Sequence, residues 1–312
     1  MSVVSIPAAL GGFVSVGAGL FAYASLVERN MFGVRHESID VLEPGSASIR
    51  VLHLSDIHLA PWQRRKINWI RGLAEHKPDL IVVTGDSLGH HGAIPELARA
   101  LSVFTGIPGV FVHGSNDYFA PRMPNPFTYL IRPSKPDQDG EKLDTDGLDA
   151  VYSTLGWLDL NNATGRLSVN GSSIVFTGTD DPHLNLDRLD VVAQSLDDEL
   201  SEHLDPVSAI VGVTHAPYRR VLDSLTTLGA DVIFAGHTHG GQVCIPWLGA
   251  LTTNSDLPLS LARGLAVWNR LDRTAFLNVS AGIGTSIFAP VRFACPPEAV
   301  LVTLRAKDIG YA

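Results

Sequence analysis

Residues 231–242 read Asp-Val-Ile-Phe-Ala-Gly-His-Thr-His-Gly-Gly-Gln, and no other stretch says as much about the fold. An apolar run typical of a buried strand ends here in two histidines, His237 and His239, that are flanked by glycines. Residues two apart share a strand face, so both imidazoles are able to point into one cavity. Neutral imidazoles at this spacing suit a transition metal. Two surface histidines in a turn are the alternative interpretation of the pair taken alone.

Four other apolar runs end in polar side chains of the same kind. Ligands of α/β sheets gather at the carboxyl ends of the strands, so we expect these clusters to converge in space. Five such strand ends together favour one shared site over five unrelated turns. The four runs, each with the polar residues that follow it, are 49–54 with Asp56 and His58, 80–84 with Asp86, 110–113 with Ser115, Asn116 and Asp117, and 209–214 with His215.

The order of these clusters resembles that of the calcineurin-like metallophosphoesterase superfamily. The shared features are Asp-x-His, Gly-Asp, a block like Gly-Asn-His-Asp, a single His and Gly-His-x-His, and they span roughly residues 48–305. The stretch 236–242 and the block 282–286 are most similar to a bacterial membrane-associated branch. The resemblance implies a four-layer α/β/β/α sandwich of two mixed β-sheets, whereas the alternation of strands and helices alone predicts only an α/β fold.

The resemblance also implies two divalent metal ions, carried over position by position. Asp56, His58 and His239 would bind the first metal, His215 and His237 the second, and Asp86 would bridge them. A bridging carboxylate suits dications about 3.5 to 4 Å apart, which polarise a phosphoryl group together. Imidazole and carboxylate ligands without cysteine favour manganese first, with iron or zinc as the alternatives.

One block departs from the family pattern. Asn116 stands where the family has its general-acid histidine, and Ser115 stands where it has a metal-binding asparagine. An amide carbonyl is a better neutral oxygen ligand than a hydroxyl, so we predict Asn116 as the ligand, with Ser115 as the alternative. The general acid stays open between Asn116, His90 and His91, and the two histidines also fit an exposed loop. A leaving group of low pKa, such as a phosphate in a pyrophosphate, needs less protonation.

The implied function is hydrolysis of a phosphoester or phosphoanhydride by a metal-bound hydroxide. The substrate would be a phosphodiester, or a nucleotide- or lipid-linked pyrophosphate, so the expected partner is a phosphate-containing small molecule or lipid-linked compound. The alternatives are a phosphomonoesterase and a catalytically inactive, membrane-anchored metal-binding scaffold. Nucleic acid is not an expected partner, because the formal charge is −9 and the longest basic tract is residues 64–66.

The N-terminal segment is apolar and carries no charged side chain before Glu28. As a helix, residues 3–27 would be long enough to cross a hydrocarbon core of about 30 Å. We therefore predict an N-terminal hydrophobic helix, with residues 1–35 forming a membrane anchor and linker. Arg29 and Arg35 follow the segment, which predicts a catalytic domain on the cytoplasmic side. The alternatives are a buried helix of the domain and a cleaved signal peptide.

The rest of the chain is predicted to form one metallophosphoesterase domain over residues 48–305. A chain of 312 residues with 45% hydrophobic content is able to bury one large core. Residues 121–147 contain five prolines, which oppose a long regular element and predict an insertion or lid. Apolar spacing predicts helices over 62–76, 148–155 and 186–204, and strands over 173–178 and 299–304.

Overall fold

The fold is built on two six-stranded mixed sheets within the residues that the computed structural model describes, namely 15, 17–121, 140–203 and 205–308. In the first sheet the strand order is β1-β14-β2-β3-β4-β5, and in the second it is β12-β13-β9-β8-β7-β6. The strands are β1 Gly33–Leu42, β2 Ile49–Leu54, β3 Leu80–Thr84, β4 Gly109–Val112, β5 Leu158–Asp159, β6 Ala163–Val169, β7 Ser172–Gly178, β8 Ala209–Val213, β9 Val232–Ala235, β10 Cys244–Ile245, β11 Gly249–Ala250, β12 Gly264–Arg270, β13 Arg273–Val279 and β14 Glu298–Ala306.

Helices cover the outer face of each sheet. Helices α1, α2 and α4 pack on the first sheet in one apolar cluster, and α5 and α6 pack on the second in another. The helices are α1 Arg64–Gly72, α2 Ile94–Leu101, α3 Ser115–Tyr118, α4 Thr145–Thr154, α5 Leu189–Glu202 and α6 Arg219–Thr227, with short 3-10 turns at Glu28–Asn30, Leu73–His76, Ser102–Phe104, His239–Gly241 and Leu259–Leu261.

A third apolar cluster lies between the two sheets. It joins Val51 and Val82 of the first sheet to Phe176 and Phe234 of the second, and all four side chains are fully buried. The order of the layers is therefore helix, sheet, sheet, helix. This arrangement confirms the four-layer α/β/β/α sandwich that the sequence implied.

The strands that lead into the polar clusters lie where the apolar runs predicted them. Strands β2, β3 and β4 are parallel neighbours in the first sheet, and β7, β8 and β9 are parallel neighbours in the second. Their carboxyl ends therefore meet at one edge of the sandwich. Helix α4 begins at Thr145, a few residues before the predicted start, because the Asp144 side chain accepts a hydrogen bond from Gly147 N at 2.9 Å and caps the helix.

The predicted membrane anchor is wrong. Within residues 17–121, 140–203 and 205–308, no helix has both the length and the apolar character needed to cross a bilayer. Residues 1–14 and 16 of the predicted segment lie outside the described residues. The part that is described turns from a helix at residues 17–22 into a π-helical turn at Tyr23–Val27. This turn is bound to the domain, since Arg292 N donates to Ala24 O at 3.1 Å and Cys295 N donates to Glu28 Oε1 at 2.7 Å.

Strand β1 adds an edge to the first sheet ahead of residue 48, where the predicted domain begins. It runs parallel to β14 from Gly33 to Leu42, and Arg35 donates from its guanidinium to Glu298 at 3.2 Å and to Asn278 at 3.1 Å. Most of the predicted insertion at 121–147, namely residues 122–139, lies outside the described residues.

Candidate metal centre

Loops from both sheets bring the predicted ligands to one place. Two trios of ligand atoms each lie within 4.8 Å of one another, and both include Asp56. The first trio is Asp56, His58 and His239, and the second is Asp56, Asp86 and His215. His237 joins the second trio, because its Nδ1 lies 3.3 Å from His215 Nε2. The centre thus combines the ends of β2 and β3 with those of β8 and β9.

Five of these residues hold a strained backbone. A positive φ is uncommon for residues other than glycine, and where it occurs it often marks a functional site. The residues and their φ angles are Asp56 at 48°, His58 at 42°, Asp86 at 52°, His237 at 66° and His239 at 50°.

Two glycines allow the loops to approach this closely. A Cβ on Gly236 would overlap Ser55 Oγ and come within 2.5 Å of Asp56 Oδ2. A Cβ on Gly282, whose φ is 75°, would lie 2.6 Å from Asp56 Cβ. Only a residue without a side chain fits at either position, so these glycines fix the place of the Asp56 carboxylate.

Asp86 lies between the two groups of histidines. Its Oδ2 is 3.4 Å from His58 Nε2, and its Oδ1 is 3.5 Å from His215 Nε2. Burial by itself would raise the pKa of Asp86. The nearby His215 and His58 and the Asn116 N–H together outweigh burial and lower this pKa to about 2. The carboxylate is therefore ionised at neutral pH and presents one oxygen to each side.

The carboxylate charges in this centre need a counter-charge. Asp56 is fully buried, and burial raises its pKa to about 6. Among the described residues, neither Asp56 nor Asp86 forms an ion pair with lysine or arginine, and the titratable side chains that face them are histidines. Isolated buried charges are costly, so two carboxylates that face imidazole nitrogens fit divalent cations.

Hydrogen bonds to carbonyl groups select the nitrogen that each imidazole offers. His215 Nδ1 donates to Thr84 O at 2.7 Å, which leaves Nε2 as its free ligand atom. His237 Nε2 donates to Asn254 O at 3.0 Å, which leaves Nδ1. These two free nitrogens are the pair that lie 3.3 Å apart. Such bonds orient histidine ligands and set their tautomer in metal sites.

The other histidines of the centre are neutral at physiological pH. Burial lowers the pKa of His58 to about 4 and holds the pKa values of His237 and His239 well below the ordinary value. The facing nitrogens of His58 and His239 are 3.2 Å apart. Neutral imidazole is the form that binds metal, so these rings are ready for ligation.

Asn116 lies against Asp86. Its backbone N–H donates to Asp86 Oδ1 at 2.7 Å, and its Nδ2 donates to Asp86 Oδ2 at 2.8 Å. The following residue, Asp117, accepts from Ser87 N at 2.8 Å, from Leu88 N at 3.1 Å and from Gly114 N at 3.0 Å. Asp117 thereby ties the loop after β4 to the loop after β3.

His90 and His91 are not brought into the centre. Their rings lie 3.9 Å apart, and the His90 ring meets that of Trp62 at 5.0 Å. Among the contacts of the described residues, neither ring meets Asp56, Asp86 or a histidine of the centre.

Two residues near the centre were missed by the sequence argument. The His183 ring lies beside that of His237 at a tilt of 43°, with ring centroids 4.6 Å apart, and its Nδ1 lies 3.0 Å from the Tyr218 hydroxyl. Asp181 is fully buried, accepts from His183 N at 3.0 Å, and has its pKa raised by burial to about 7. Both residues follow the predicted strand 173–178, so the rule used for the other strand ends would have found them.

The sequence argument also missed Arg292, whose side chain holds the loop that carries His239. Its guanidinium is fully buried and donates to the carbonyl oxygens of His239 at 2.8 Å, Ala281 at 2.6 Å and Gly284 at 2.6 Å. It lies 53 residues away from His239 in a chain segment without a recognisable pattern, so no local signal pointed to it.

Comparisons with known proteins place most of the chain in one family. The family model described as calcineurin-like phosphoesterase matches residues 49–241, more than half of the chain. The uncharacterized protein YpbG of Bacillus subtilis is 28% identical over 83% of this chain and 82% of its own length. The uncharacterized metallophosphoesterase YkuE of the same organism is 25% identical over 95% of this chain and 93% of its own. Among solved structures, TT1561 of Thermus thermophilus matches at 12% identity with a TM-score of 0.43, over 76% of this chain and 91% of its own.

Proposed function

Since the chain belongs to the calcineurin-like phosphoesterases, which are metal-dependent hydrolases of phosphoric esters, we propose that it hydrolyses a phosphodiester or phosphoanhydride at a centre of two divalent ions. The observation that carries this proposal is the position of Asp86, whose two oxygens lie 3.4 Å from His58 and 3.5 Å from His215. A carboxylate with one oxygen toward each ligand group is the arrangement that a bridged pair of ions requires.

Three side chains would hold the first ion, and the second would be held from the opposite side of Asp86. The first group consists of Asp56, His58 and His239. The second group consists of His215, His237 and Asn116. When bound, such ions polarise the phosphoryl oxygens and lower the pKa of water. Manganese is the first expected metal, with iron or zinc as alternatives, because the ligands are imidazole and carboxylate groups.

Hydrogen bonds within the chain fix the positions of the predicted metal ligands. The carbonyl groups of Thr84 and Asn254 fix the rings of His215 and His237, and Asn116 fixes the Asp86 carboxylate with two hydrogen bonds. These contacts position the ligands before substrate arrives, so little reorganisation is needed during the reaction.

The surroundings of the centre favour a substrate with a good leaving group. Burial, together with the positive charge of nearby His215, lowers the pKa of His183 to about 4, so this ring is neutral at pH 7. The Asn116 amide does not ionise, and its Nδ2 is engaged with Asp86. A phosphoanhydride or an activated diester loses a weakly basic oxygen and needs little protonation. This reasoning supports a nucleotide- or lipid-linked pyrophosphate over an alkyl monoester.

Hydrolysis of bis(4-nitrophenyl) phosphate and of a nucleoside diphosphate ester, with manganese added after chelation, tests the proposal. We expect turnover in the unmodified chain and a loss of about 100-fold or more in His215→Gln. His203→Gln serves as the matched control, since His203 is exposed at the end of α5 and pairs with Glu199 rather than with a residue of the centre. Metal binding without turnover of either compound would support the inactive scaffold, and full activity in His215→Gln would refute the ligand assignment.

A further inference from the structure

A second cavity lies beside the metal centre and has a strongly basic wall. Its volume is about 490 Å³, and its lining comes from residues 29–30, 62–66 and 283–287 together with Pro290. The lining includes Arg29, Arg64, Arg65 and Lys66, whereas none of the described residues that line it is acidic. In a chain with a formal charge of −9, a lining with several basic side chains and no acidic one is unusual.

The arginines of this cavity are not neutralised within the described part of the chain. None of Arg29, Arg64 and Arg65 forms an ion pair there, although most other arginines do, as Arg50 does with Asp79 and Arg166 with Glu199. The Nε atom of Arg29 is buried and has no hydrogen-bond partner.

The start of helix α1 adds to the positive field. Arg64, Arg65 and Lys66 form its first turn, which carries no acidic residue, and the preceding Gln63 makes no side-chain cap. The Gln63 Oε1 atom instead accepts from Ala60 N at 3.1 Å. The N-terminus of a helix is already partly positive and favours anions, so the charges of Arg64 and Arg65 there repel the dipole. An anion in the cavity would remove that repulsion.

The cavity and the metal centre are separated by the backbone of residues 56–58. Lys66 is buried and donates from Nζ to Ile57 O at 2.7 Å and to His58 O at 3.3 Å. Gly284, which also lines the cavity, donates from its N–H to Asp56 O at 2.7 Å. None of the predicted metal ligands lines the cavity, so it is a distinct site that shares a wall with the centre.

We propose that this cavity binds the phosphate group of a phosphomonoester, as a second site that is independent of the hydrolysis proposed above. Arginine forks and helix N–H groups are the donors that phosphate oxygens prefer. Trp62 stands at the rim with 61% of its surface exposed, which offers a flat face to an aromatic base attached to that phosphate. Inorganic phosphate and a nucleoside 5′-monophosphate share the chemistry that the arginines recognise.

Tungstate, an anomalous scatterer that mimics phosphate, locates the site directly in crystals of the metal-loaded full chain. We expect anomalous density at Arg29, Arg64 and Arg65 in addition to any density at the metal centre. The variant Arg64→Gln with Arg65→Gln should lose the first density and keep the second. Tungstate at the metal centre alone in the unmodified chain would overturn the proposal without touching the hydrolysis.

Equilibrium dialysis with labelled phosphate and with AMP measures the affinity of the same protein. The double variant should bind phosphate about tenfold more weakly at one of its sites, as expected for the loss of charge-assisted hydrogen bonds. Both substituted side chains are exposed, so the fold should persist, and a thermal unfolding curve verifies that. The matched control is Arg188→Gln with Arg305→Gln, which removes two exposed charges elsewhere.

An equal loss of affinity in the control would mean that net charge alone attracts phosphate, and the proposal would fail. Tighter binding of AMP than of phosphate, abolished by Trp62→Ala, would identify a nucleotide as the ligand. Equal affinities for the two compounds would support a site that recognises phosphate alone.

Discussion

Metal binding should expel a proton from His215, so the apparent metal affinity should rise with pH. Because Nδ1 of this ring donates to Thr84 O, Nε2 is the atom that faces a metal. Burial by itself would lower the pKa of His215. The carboxylates of Asp86, Asp181 and Asp56 together outweigh burial and raise this pKa to about 9. At pH 7 the metal-free ring therefore carries a proton on Nε2, and ligation must release it.

The size of the effect follows from these pKa values. Release of one proton makes the apparent affinity rise about tenfold per pH unit, or about 1.4 kcal/mol, between about pH 7 and pH 9. Below pH 7 the slope should steepen, because burial raises the pKa of Asp181 to about 7 and that of Asp56 to about 6, so both also carry protons there. Above pH 9 the slope should vanish.

The raised pKa of His215 also makes the stability of the metal-free fold depend on pH, in the opposite direction to the metal affinity. Because the folded pKa of His215 lies above its unfolded value of about 6.5, the protonated ring stabilises the fold fully below that pH. This contribution decreases as the pH rises and is lost through about 9. Raising the pH should therefore weaken the metal-free protein while it strengthens metal binding.

Competition with a chromogenic chelator for manganese, at steps between about pH 6 and pH 8.5, measures the slope. His215→Gln should flatten it, and the exposed-site variant His203→Gln should leave it unchanged. Asp181→Asn should reduce the steepening near pH 7 and lower the pH at which the slope vanishes, because Asp181 also raises the pKa of His215. A flat profile in the unmodified chain, or an unchanged slope in His215→Gln, would refute the reasoning.

Three other outcomes are expected. Asp86→Asn should lose both metals and His239→Gln mainly the first, because Asp86 offers one oxygen to each side; two metals per chain in Asp86→Asn, counted by elemental analysis, would contradict the bridge. Asp117→Ala should lower the free energy of unfolding by about 3 kcal/mol in urea titrations, since it leaves three backbone N–H groups without their partner; a loss below about 1 kcal/mol would show that the loops hold without it. Finally, kcat/KM across aryl and alkyl phosphodiesters should fall steeply as the leaving-group pKa rises, and Ser115→Asn with Asn116→His should selectively speed the poor leaving groups; a flat dependence would mean that another group already supplies the proton.

The strands around the centre were predictable because buried parallel strands give continuous apolar runs. All five residues of β3 are buried, and so are all four of β4 and of β9. Such runs end at the sheet edge, and the polar residue that follows each one must lie there. Most of the centre therefore follows from local sequence together with one rule of α/β topology.

The edge strands and the supporting residues were not predictable in the same way. Strand β1 mixes exposed and buried positions and includes Arg35, Glu37 and Asp40, so its sequence resembles a loop. Its place in the sheet depends on pairing with β14, about 265 residues further along the chain. Arg292 likewise acts through contacts with distant carbonyl groups, and a pattern read along the chain does not show such contacts.

The block at Ser115 and Asn116 marks the limit of the sequence argument. The order of the residues shows that the family's histidine is replaced. It does not show which of the two side chains faces Asp86, because adjacent side chains at a helix start point in different directions. Only the conformation of the loop decides between them. Here Gly114 packs directly on Asp86 and His215, where a Cβ would lie 2.7 Å from His215 Nε2, and this close approach sets the start of α3. From that start, Asn116 places both its backbone N–H and its amide on the Asp86 carboxylate. The orientation of the amide follows from these hydrogen bonds, with Nδ2 toward Asp86 and Oδ1 left for another partner. A metal held by Asp86 and His215 would supply that partner, which is why Asn116 remains our predicted ligand in preference to Ser115.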